Sequence, residues 1–345
     1  MTKATRLLFV FWLSLMWSLN SWALPADIQA AKDEGMRLYN IGHSTAAMPY
    51  LRQAADAGDV EAMYYMGESE RRQNMMGLTT EAMEWYLQAA EHGDPYSMLR
   101  LFSGGACIVG DRCPEGSDDW QEKGWREAAL DITLPKAEAG DPEAMLAMYY
   151  IYANLDASRL NTVYNFLGIP TRAGKWLKRA AEAGLPEAQT RWGRHIMNGR
   201  GWYFTKSRRL AAAERWLRQA AEQDYAPAMN GLGGLLREQE AYSEAMRWYI
   251  AASEQGHLNG RMRLASCYIE QDQDPTCEDI EQDRVKGWAI YYAINQEANS
   301  STSERSLSLR RDLLSEEERR LGEELAEEWL NKEPPLSNFP SRIGF

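Results

Sequence analysis

Six segments of the chain repeat one pattern of apolar and small residues in front of a turn. In every copy, alanine stands eleven residues before the turn residue and a large apolar residue stands eight before it. Small residues, mostly alanine pairs, occupy the positions four and three before it in five of the six copies. These positions fall on one stripe of a helix, so each segment predicts an amphipathic helix that ends at the turn. The turn residues are Gly58, Gly93, Gly140, Gly184, Asp224 and Gly256.

A second helix is predicted after each turn. Its first turn often contains proline, where the missing backbone N–H costs nothing. Small residues four and often nine positions after the turn, such as Ala62 and Gly67, would let two helix backbones approach closely. We expect the aromatic residue of the first helix to fill the remaining space. One pair cannot bury its apolar stripe alone, so the pattern predicts an all-α array of about six stacked pairs.

The repeat unit closely resembles the Sel1-like repeat, a relative of the tetratricopeptide repeat. The shared pattern is Ala-x-x-Trp/Tyr-x-x-x-Ala-Ala-x-x-Gly-x-x-x-Ala-x-x-x-Leu-Gly, and it covers roughly residues 35–295. The resemblance implies a right-handed α-solenoid. The third copy departs most from the pattern, with Pro135 inside its first helix and Lys136 in place of an alanine. In the fifth copy, Asp224 replaces the turn glycine, and aspartate can still adopt a left-handed turn.

Helices with a polar outer face are expected to cap both ends of the array, because a solenoid needs such ends for solubility. Ser315 and Glu318 have the spacing of a capping box, and Leu321, Leu325 and Trp329 follow on one apolar face. The expected boundaries are 1–23 for a signal peptide, 24–46 for an N-terminal capping helix, 47–295 for the solenoid, 296–332 for C-terminal capping helices and 333–345 for a loose tail.

The first 23 residues have the three parts of a secretory signal. Lys3 and Arg6 precede the apolar run LLFVFWLSLMW, and small residues stand at Ser21 and Ala23. Cleavage is expected after Ala23. A transmembrane anchor is the alternative, but the apolar run is about half the length of roughly 20 residues that a bilayer requires. We therefore expect a soluble periplasmic protein without membrane insertion.

Acidic residues outnumber basic ones. The formal charge is −12 for the whole chain, and removal of Lys3 and Arg6 with the signal makes it −14. An acidic protein repels nucleic acid and anionic lipid headgroups, so neither is expected as a partner. Residues 172–218 are basic, in contrast to the rest of the chain, with 12 basic and 3 acidic residues. Such an uneven distribution of charge favours electrostatic steering of a protein partner toward the binding surface. We expect a monomer in the free state.

Four cysteines fall into two local pairs, Cys107 with Cys113 and Cys267 with Cys277. In an oxidising compartment an even number of cysteines predicts disulfides, although four cysteines allow three connectivities. We expect the local pairing. A zinc site is the competing interpretation, but neither spacing is that of a zinc-binding pair.

Chemically reactive residues are few and form no recognisable constellation. We interpret His43, His92 and His257 as surface residues near turns, and His195 as part of a solvated helix face. The segment GLGGLL at residues 231–236 superficially resembles a phosphate-binding loop, but it lies inside a predicted helix and no lysine follows it. The sequence therefore predicts no catalytic site, no metal site and no bound cofactor.

Three loops are longer or more charged than the repeat requires, and insertions in repeats often form the binding face. Residues 103–125 and 270–283 are acidic, whereas residues 198–209 combine consecutive aromatic residues with basic ones. Each could also be an ordinary solvated loop. The candidate partner-binding residues are Asp118, Asp119, Glu278 and Asp279 in the acidic loops, and Arg200, Trp202, Tyr203, Arg208 and Arg209 in the aromatic-basic loop.

Sel1-like-repeat proteins are generally adaptors or scaffolds, so the resemblance implies a protein partner bound by the solenoid groove and the insert loops. A secreted subset with a signal peptide, no anchor and local cysteine pairs includes periplasmic immunity proteins, which neutralise phospholipase effectors of type VI secretion systems. The resemblance thus implies a non-enzymatic immunity protein that binds and inhibits such an effector. The alternative is an envelope scaffold or adaptor for assembly of a periplasmic complex.

Overall fold

A computed structural model describes residues 24–73, 78–103, 124–155, 171–299, 301–330 and 332–342. Within these ranges every regular element is a helix, apart from one backbone bridge between His257 and Ser337. Each helix packs mainly against its neighbours in the chain. The protein is therefore an all-α solenoid, as the repeated pattern predicts.

Six helix pairs form the repeats, and in each pair the second helix begins two residues after the turn residue. The pairs are α2 (Ser44–Asp56) with α3 (Val60–Gln73), α4 (Thr80–Glu91) with α5 (Pro95–Ser103), α6 (Gly124–Glu138) with α7 (Pro142–Leu155), α8 (Arg172–Glu182) with α9 (Pro186–Met197), α10 (Lys206–Ala221) with α11 (Ala226–Glu238), and α12 (Tyr242–Glu254) with α13 (Leu258–Ile269).

Further helices precede and follow the repeats. They are α1 (Ala26–Ile41), α14 (Arg284–Ala298), α15 (Ser301–Arg310), α16 (Glu316–Leu325) and α17 (Glu327–Leu330). Single turns of 3₁₀-helix lie at Gln271–Gln273, Pro275–Cys277 and Arg311–Leu313. None of the helices in the described part of the chain is both long and apolar enough to cross a lipid bilayer.

All six turn residues adopt the left-handed backbone conformation, with φ between 59° and 104°. In the first repeat, the amide of Gly58 donates to the carbonyl oxygen of Ala55, which closes the end of the helix. A Cβ atom on Gly58 would meet nothing within 4 Å, so the positive φ and not crowding favours glycine. Asp224 adopts the same conformation at φ 59°, as predicted. The third repeat also forms this turn, although Pro135 lies inside its first helix.

In the first helix of most repeats, the large side chain that fills the interior is not the predicted one. The alanines eleven residues before the turns are all buried. The large residues eight before the turns were expected to fill the interior, and Trp85 is buried as expected. Tyr50 is exposed, however, and Trp216 and Trp248 are only half-buried, because this position lies at the edge of the helix interface. The residue seven before the turn fills the interior instead. These buried residues are Leu51, Tyr86, Thr133, Leu177, Leu217 and Tyr249.

Glycines on the second helices pack against this interior residue of the next repeat. A Cβ atom on Gly67 would lie 2.6 Å from the ring of Tyr86, and one on Gly233 would lie 2.8 Å from the ring of Tyr249. Such distances leave no room for a side chain, so glycine allows the two helices to approach. Close packing between successive repeats therefore depends on a glycine facing a large side chain.

The C-terminal cap contains the predicted capping box. The hydroxyl of Ser315 accepts a hydrogen bond from the backbone amide of Glu318, whose carboxylate accepts one from the amide of Ser315. Gly322 packs against Trp288 of α14, where a Cβ atom would lie 2.8 Å from the indole. Leu321 is exposed, so its predicted place on the apolar face was wrong.

The tail, residues 333–342, is docked on the solenoid and begins on the last repeat, so the prediction of a loose tail was wrong for these residues. The amide of Ser337 donates to the carbonyl oxygen of Gly256 at 2.8 Å, and its carbonyl oxygen accepts from the amide of Leu258 at 3.0 Å. Leu336 is buried beside them. Two backbone hydrogen bonds and an apolar side chain therefore hold the start of the tail.

The two ends of the helix array meet through the tail and through α14. The amide of Asn338 donates to the carbonyl oxygen of Asn40 in α1 at 2.9 Å. The imidazole Nε2 of His43 lies 2.6 Å from the carbonyl oxygen of Glu297. These contacts join residues that are 254 or more positions apart in the sequence, so the solenoid returns to its own beginning.

Candidate interaction surfaces

The aromatic-basic loop, residues 198–209, joins α9 to α10 and presents two large apolar side chains to solvent. Trp202 is 77% exposed and Phe204 is 80% exposed, and their rings meet edge-on with centroids 6.1 Å apart. Leaving such rings in water gives the folded chain no stability, and exposed apolar groups next to arginine are typical of protein-binding sites. This loop is the strongest candidate interaction surface in the described residues.

Tyr203 has a different part in this loop from the one predicted. It is half-buried, and its ring lies over Gly201, where a Cβ atom would be only 2.7 Å away. Gly201 also has φ 100°, which other residues rarely adopt. Tyr203 therefore holds the loop in shape, while Trp202 and Phe204 face solvent. Phe204 was not among the predicted partner-binding residues.

Basic groups stand on both sides of the exposed rings. Arg200 and Arg208 are exposed, whereas Arg209 is half-buried. The hydroxyl of Thr205 accepts a hydrogen bond from the amide of Arg208 at 3.2 Å and so caps the start of α10. The cap places Arg208 on the first turn of a helix directly after Phe204.

The second acidic loop is anchored to α13. Cys267 and Cys277 form a disulfide with Cα atoms 5.0 Å apart, which confirms the expected local pairing for these two cysteines. Asp274 forms an ion pair of 2.6 Å with an arginine of α13. Glu278 and Asp279 follow the disulfide and are exposed. The loop therefore presents two carboxylates from a tethered backbone.

The first acidic loop lies outside the described residues. Cys107, Cys113, Asp118 and Asp119 all fall in the range 104–123. Their disulfide and their contact with a partner stay predictions.

The histidines differ in part from their interpretation as surface residues. His92 is exposed at its turn, as expected, but His257 is buried because the tail covers it and Phe339 stacks on its ring at 5.6 Å. Burial lowers the pKa of His257 to about 4. Burial and the nearby charge of Arg200 lower the pKa of His195 to about 3. Both rings are therefore neutral at physiological pH.

Metal-binding geometry is absent from the part of the chain that the structure describes. No three side chains of histidine, cysteine, aspartate or glutamate come close enough together there to hold an ion.

A buried ion network joins the first two repeats and was not predicted. Glu68 of α3 is fully buried and accepts hydrogen bonds from Arg100, Arg71 and the hydroxyl of Tyr86. Burial alone would raise the pKa of Glu68, but the positive charges of Arg100 and Arg71 outweigh it and hold the pKa below its usual value. The only sequence signal is one glutamate beside the apolar run AMYYMG.

The rest of the tail lies along the first turns of the second helices. Phe339 packs edge-on against Tyr225, with ring centroids 6.4 Å apart. The carbonyl oxygen of Arg342 accepts a hydrogen bond from the hydroxyl of Tyr64, and its guanidinium lies 4.8 Å from the ring centre of Tyr96. We call this surface the inner groove. It is defined by Glu61, Tyr64, Asp94, Tyr96, Glu143, Tyr225 and His257.

These features define an α-solenoid repeat protein with exposed loops suited to contact with another macromolecule. The family model of the Sel1 repeat matches residues 45–59, 60–94, 170–185, 186–225 and 226–257. The chain therefore contains Sel1 repeats. The matched ranges leave out the third repeat, where Pro135 and Lys136 interrupt the pattern. No curated protein matches the chain in sequence.

Several solved structures are similar at low sequence identity. The crystal structure of c5321, a protective antigen present in uropathogenic Escherichia coli strains, is 18% identical over 89% of this chain and 62% of that chain, with a TM-score of 0.47. This chain therefore spans less than two thirds of c5321. A Sel1 repeat protein from Oxalobacter formigenes is 21% identical over 82% of this chain and 99% of that chain, with a TM-score of 0.38. Immunity protein Pa5087 from Pseudomonas aeruginosa is 19% identical over 70% of this chain and 83% of that chain, with a TM-score of 0.41.

Proposed function

We propose that the protein is a periplasmic, non-enzymatic immunity protein that binds and inhibits a phospholipase-type effector of a type VI secretion system. The observation that carries the protein-binding part is the exposed pair of Trp202 and Phe204 beside exposed arginines. The periplasmic part is supported by the signal pattern in residues 1–23 and by the disulfide between Cys267 and Cys277, because disulfides persist in oxidising compartments.

The acidic loops give this proposal a mechanism. A phospholipase D-type active site must hold an anionic phosphodiester, so it gathers histidine and lysine into a positively charged cleft. Exposed carboxylates on a tethered loop can enter such a cleft with little loss of conformational freedom. We place Glu278 and Asp279 in that role, together with Asp118 and Asp119, and the aromatic-basic loop against the surrounding surface.

The double substitution Trp202→Ala and Phe204→Ala should weaken binding of the proposed phospholipase effector by roughly 1,000-fold. Two exposed aromatic anchors that become buried in an interface each contribute about 2 kcal/mol or more. Thermal stability should stay unchanged, because both rings are already in solvent. Isothermal titration calorimetry measures the affinity, and Leu309→Ala, an exposed residue of α15, is the control. Wild-type affinity in the double variant would exclude this loop as the contact.

Charge reversal tests the acidic loop separately. Glu278→Lys with Asp279→Lys should slow association at low salt, and the difference should shrink as salt screens the charges. The matched control is Glu323→Lys with Glu328→Lys, an equal charge change at exposed positions of the C-terminal cap. Equal association rates for both variants would refute the proposed role of Glu278 and Asp279. A wild-type protein that binds other envelope proteins but no phospholipase would favour the scaffold alternative.

A further inference from the structure

The tail in the inner groove shows how this groove holds a peptide segment, which is extended at Ser337 and turns at Phe339, where φ is 46°. Its backbone amide at Ser337 donates to Gly256, its carbonyl oxygen at Ser337 accepts from Leu258, and the amide of Asn338 donates to Asn40. Backbone hydrogen bonds do not distinguish one side chain from another, so any extended segment can form them. Selectivity must therefore come from the side chains that follow, which are Phe339 and Arg342.

Phe339 and Arg342 occupy two distinct positions in the groove. The ring of Phe339 lies between His257, on which it stacks, and Tyr225. Three residues later, the guanidinium of Arg342 lies over the ring of Tyr96 and 3.5 Å from the carboxylate of Glu61. The groove thus receives an aromatic residue and, three positions further, an arginine.

The arginine position places Arg342 close to several acidic side chains. Glu61 pairs with both Arg342 and Lys32. Glu143 forms no ion pair within the described residues, and it borders the same cavity of about 160 Å³ as Arg342. Asp141 and Lys136 also line this cavity. Acidic residues in the first turn of a helix are common, because they interact favourably with its dipole. The helix dipole alone could explain why Glu61 and Glu143 stand there. It does not explain why Arg342 and an open cavity lie beside them.

The fit of the tail itself is incomplete. The Nε atom of Arg342 is buried and has no hydrogen-bond partner in the described residues. A buried donor without a partner is unfavourable, so a segment that satisfied it would bind better than the tail does. Beside Asn338 and Phe339 the groove also opens into a cavity of about 710 Å³, which leaves room for a longer occupant.

We propose that the inner groove is a binding site for a segment of a partner protein, with an aromatic residue followed three positions later by arginine. The tail occupies this site in the free protein and is displaced by the partner. This site is separate from the loops that the proposed function assigns to the phospholipase, so it stands or falls independently of that function.

The test uses the full-length mature protein and a fluorescein-labelled peptide of residues 335–345, PLSNFPSRIGF. The wild type should bind the peptide weakly, because its own tail fills the groove. The variant Phe339→Ala with Arg342→Glu should release the tail and bind the peptide at least tenfold more tightly in fluorescence anisotropy. A peptide with glutamate in place of its arginine should lose at least tenfold in affinity for this variant.

Groove variants locate the bound peptide. Adding Glu61→Lys and Glu143→Lys to the released-tail variant should abolish the gain in affinity, whereas adding Glu323→Lys and Glu328→Lys on the C-terminal cap should preserve it. Circular dichroism establishes that each variant is folded. Equal peptide binding by the wild type and the released-tail variant would overturn the proposal, and so would equal binding of the charge-reversed peptide. If the wild type forms dimers in which each tail occupies the groove of the other chain, the occupant is a second copy of the chain and not a partner protein. That result would also overturn the proposal.

Discussion

Replacing Glu68 with alanine is expected to destabilise the protein by about 3–5 kcal/mol. The carboxylate is fully buried between α3 and α5, and Arg100 beside it is buried as well. Removing the carboxylate leaves the positive charge of Arg100 in the interior without its main counter-charge, and it removes an acceptor from the hydroxyl of Tyr86. The free energy of unfolding, measured in urea, gives the size of the effect. Glu317→Ala is the control, because its ion pair with Arg320 is exposed and should contribute nothing measurable.

The same residue predicts a pH dependence. The pKa of Glu68 in the folded protein is below its usual value of 4.5, so the folded state keeps this carboxylate charged where the unfolded chain begins to bind a proton. Its contribution to stability is therefore complete above about pH 4.5 and is lost as the pH falls through the folded-state pKa. Glu68→Gln should be less stable than the wild type at neutral pH, and the difference should shrink in acid. A difference that is constant from pH 7 to pH 3 would contradict the ion network.

Leu217→Ala is expected to cost about 2–5 kcal/mol. Leu217 is fully buried, and its side chain lies against Gly193 of the preceding repeat, where a Cβ atom would be 3.2 Å away. The helices cannot collapse into the space that the substitution leaves, because Gly193 has no side chain to fill it. Urea denaturation again gives the loss, with the exposed neighbour Arg215→Ala as control. A loss below 1 kcal/mol would show that the contact between these repeats is loose.

The sequence alone predicts the repeated architecture because it depends on local chemistry. The glycines at the turns, the alanines eleven residues before them and the capping box at Ser315 act within one or two helical turns. A residue's place in such a pattern determines its conformation whatever lies elsewhere in the chain. Asp224 is an example, since it adopts the left-handed conformation of the glycine that it replaces.

Contacts between distant segments could not be predicted in this way. The docked tail, the buried His257 and the network around Glu68 all join residues far apart in the sequence, and no periodic pattern connects them. The interior position of Leu217 instead of Trp216 depends on a rotation of the helix by one residue, or about 100°. Trp216 and Leu217 are both large and apolar, so the sequence is compatible with a helix that turns either of them toward the interior.

The sequence predicts which loops are candidate interaction surfaces, but it does not predict how their side chains are arranged. Residues 198–209 stand out in sequence because three aromatic residues adjoin basic ones. Which ring packs inward is decided by Gly201, whose left-handed backbone turns Tyr203 onto the loop and leaves Trp202 and Phe204 in solvent. The resemblance implies that the solenoid groove binds a partner, but the residues that define the inner groove could not be inferred without the docked tail.

Inhibition of lipid hydrolysis is the most direct test of the proposed function. The purified protein without its predicted signal segment, residues 24–345, is titrated into an assay of the proposed phospholipase effector, with vesicles as substrate. We predict that hydrolysis falls in proportion to the added protein and stops at one equivalent. Undiminished hydrolysis at a tenfold excess, with both proteins folded, would contradict the proposal that this solenoid is the inhibitor of that enzyme.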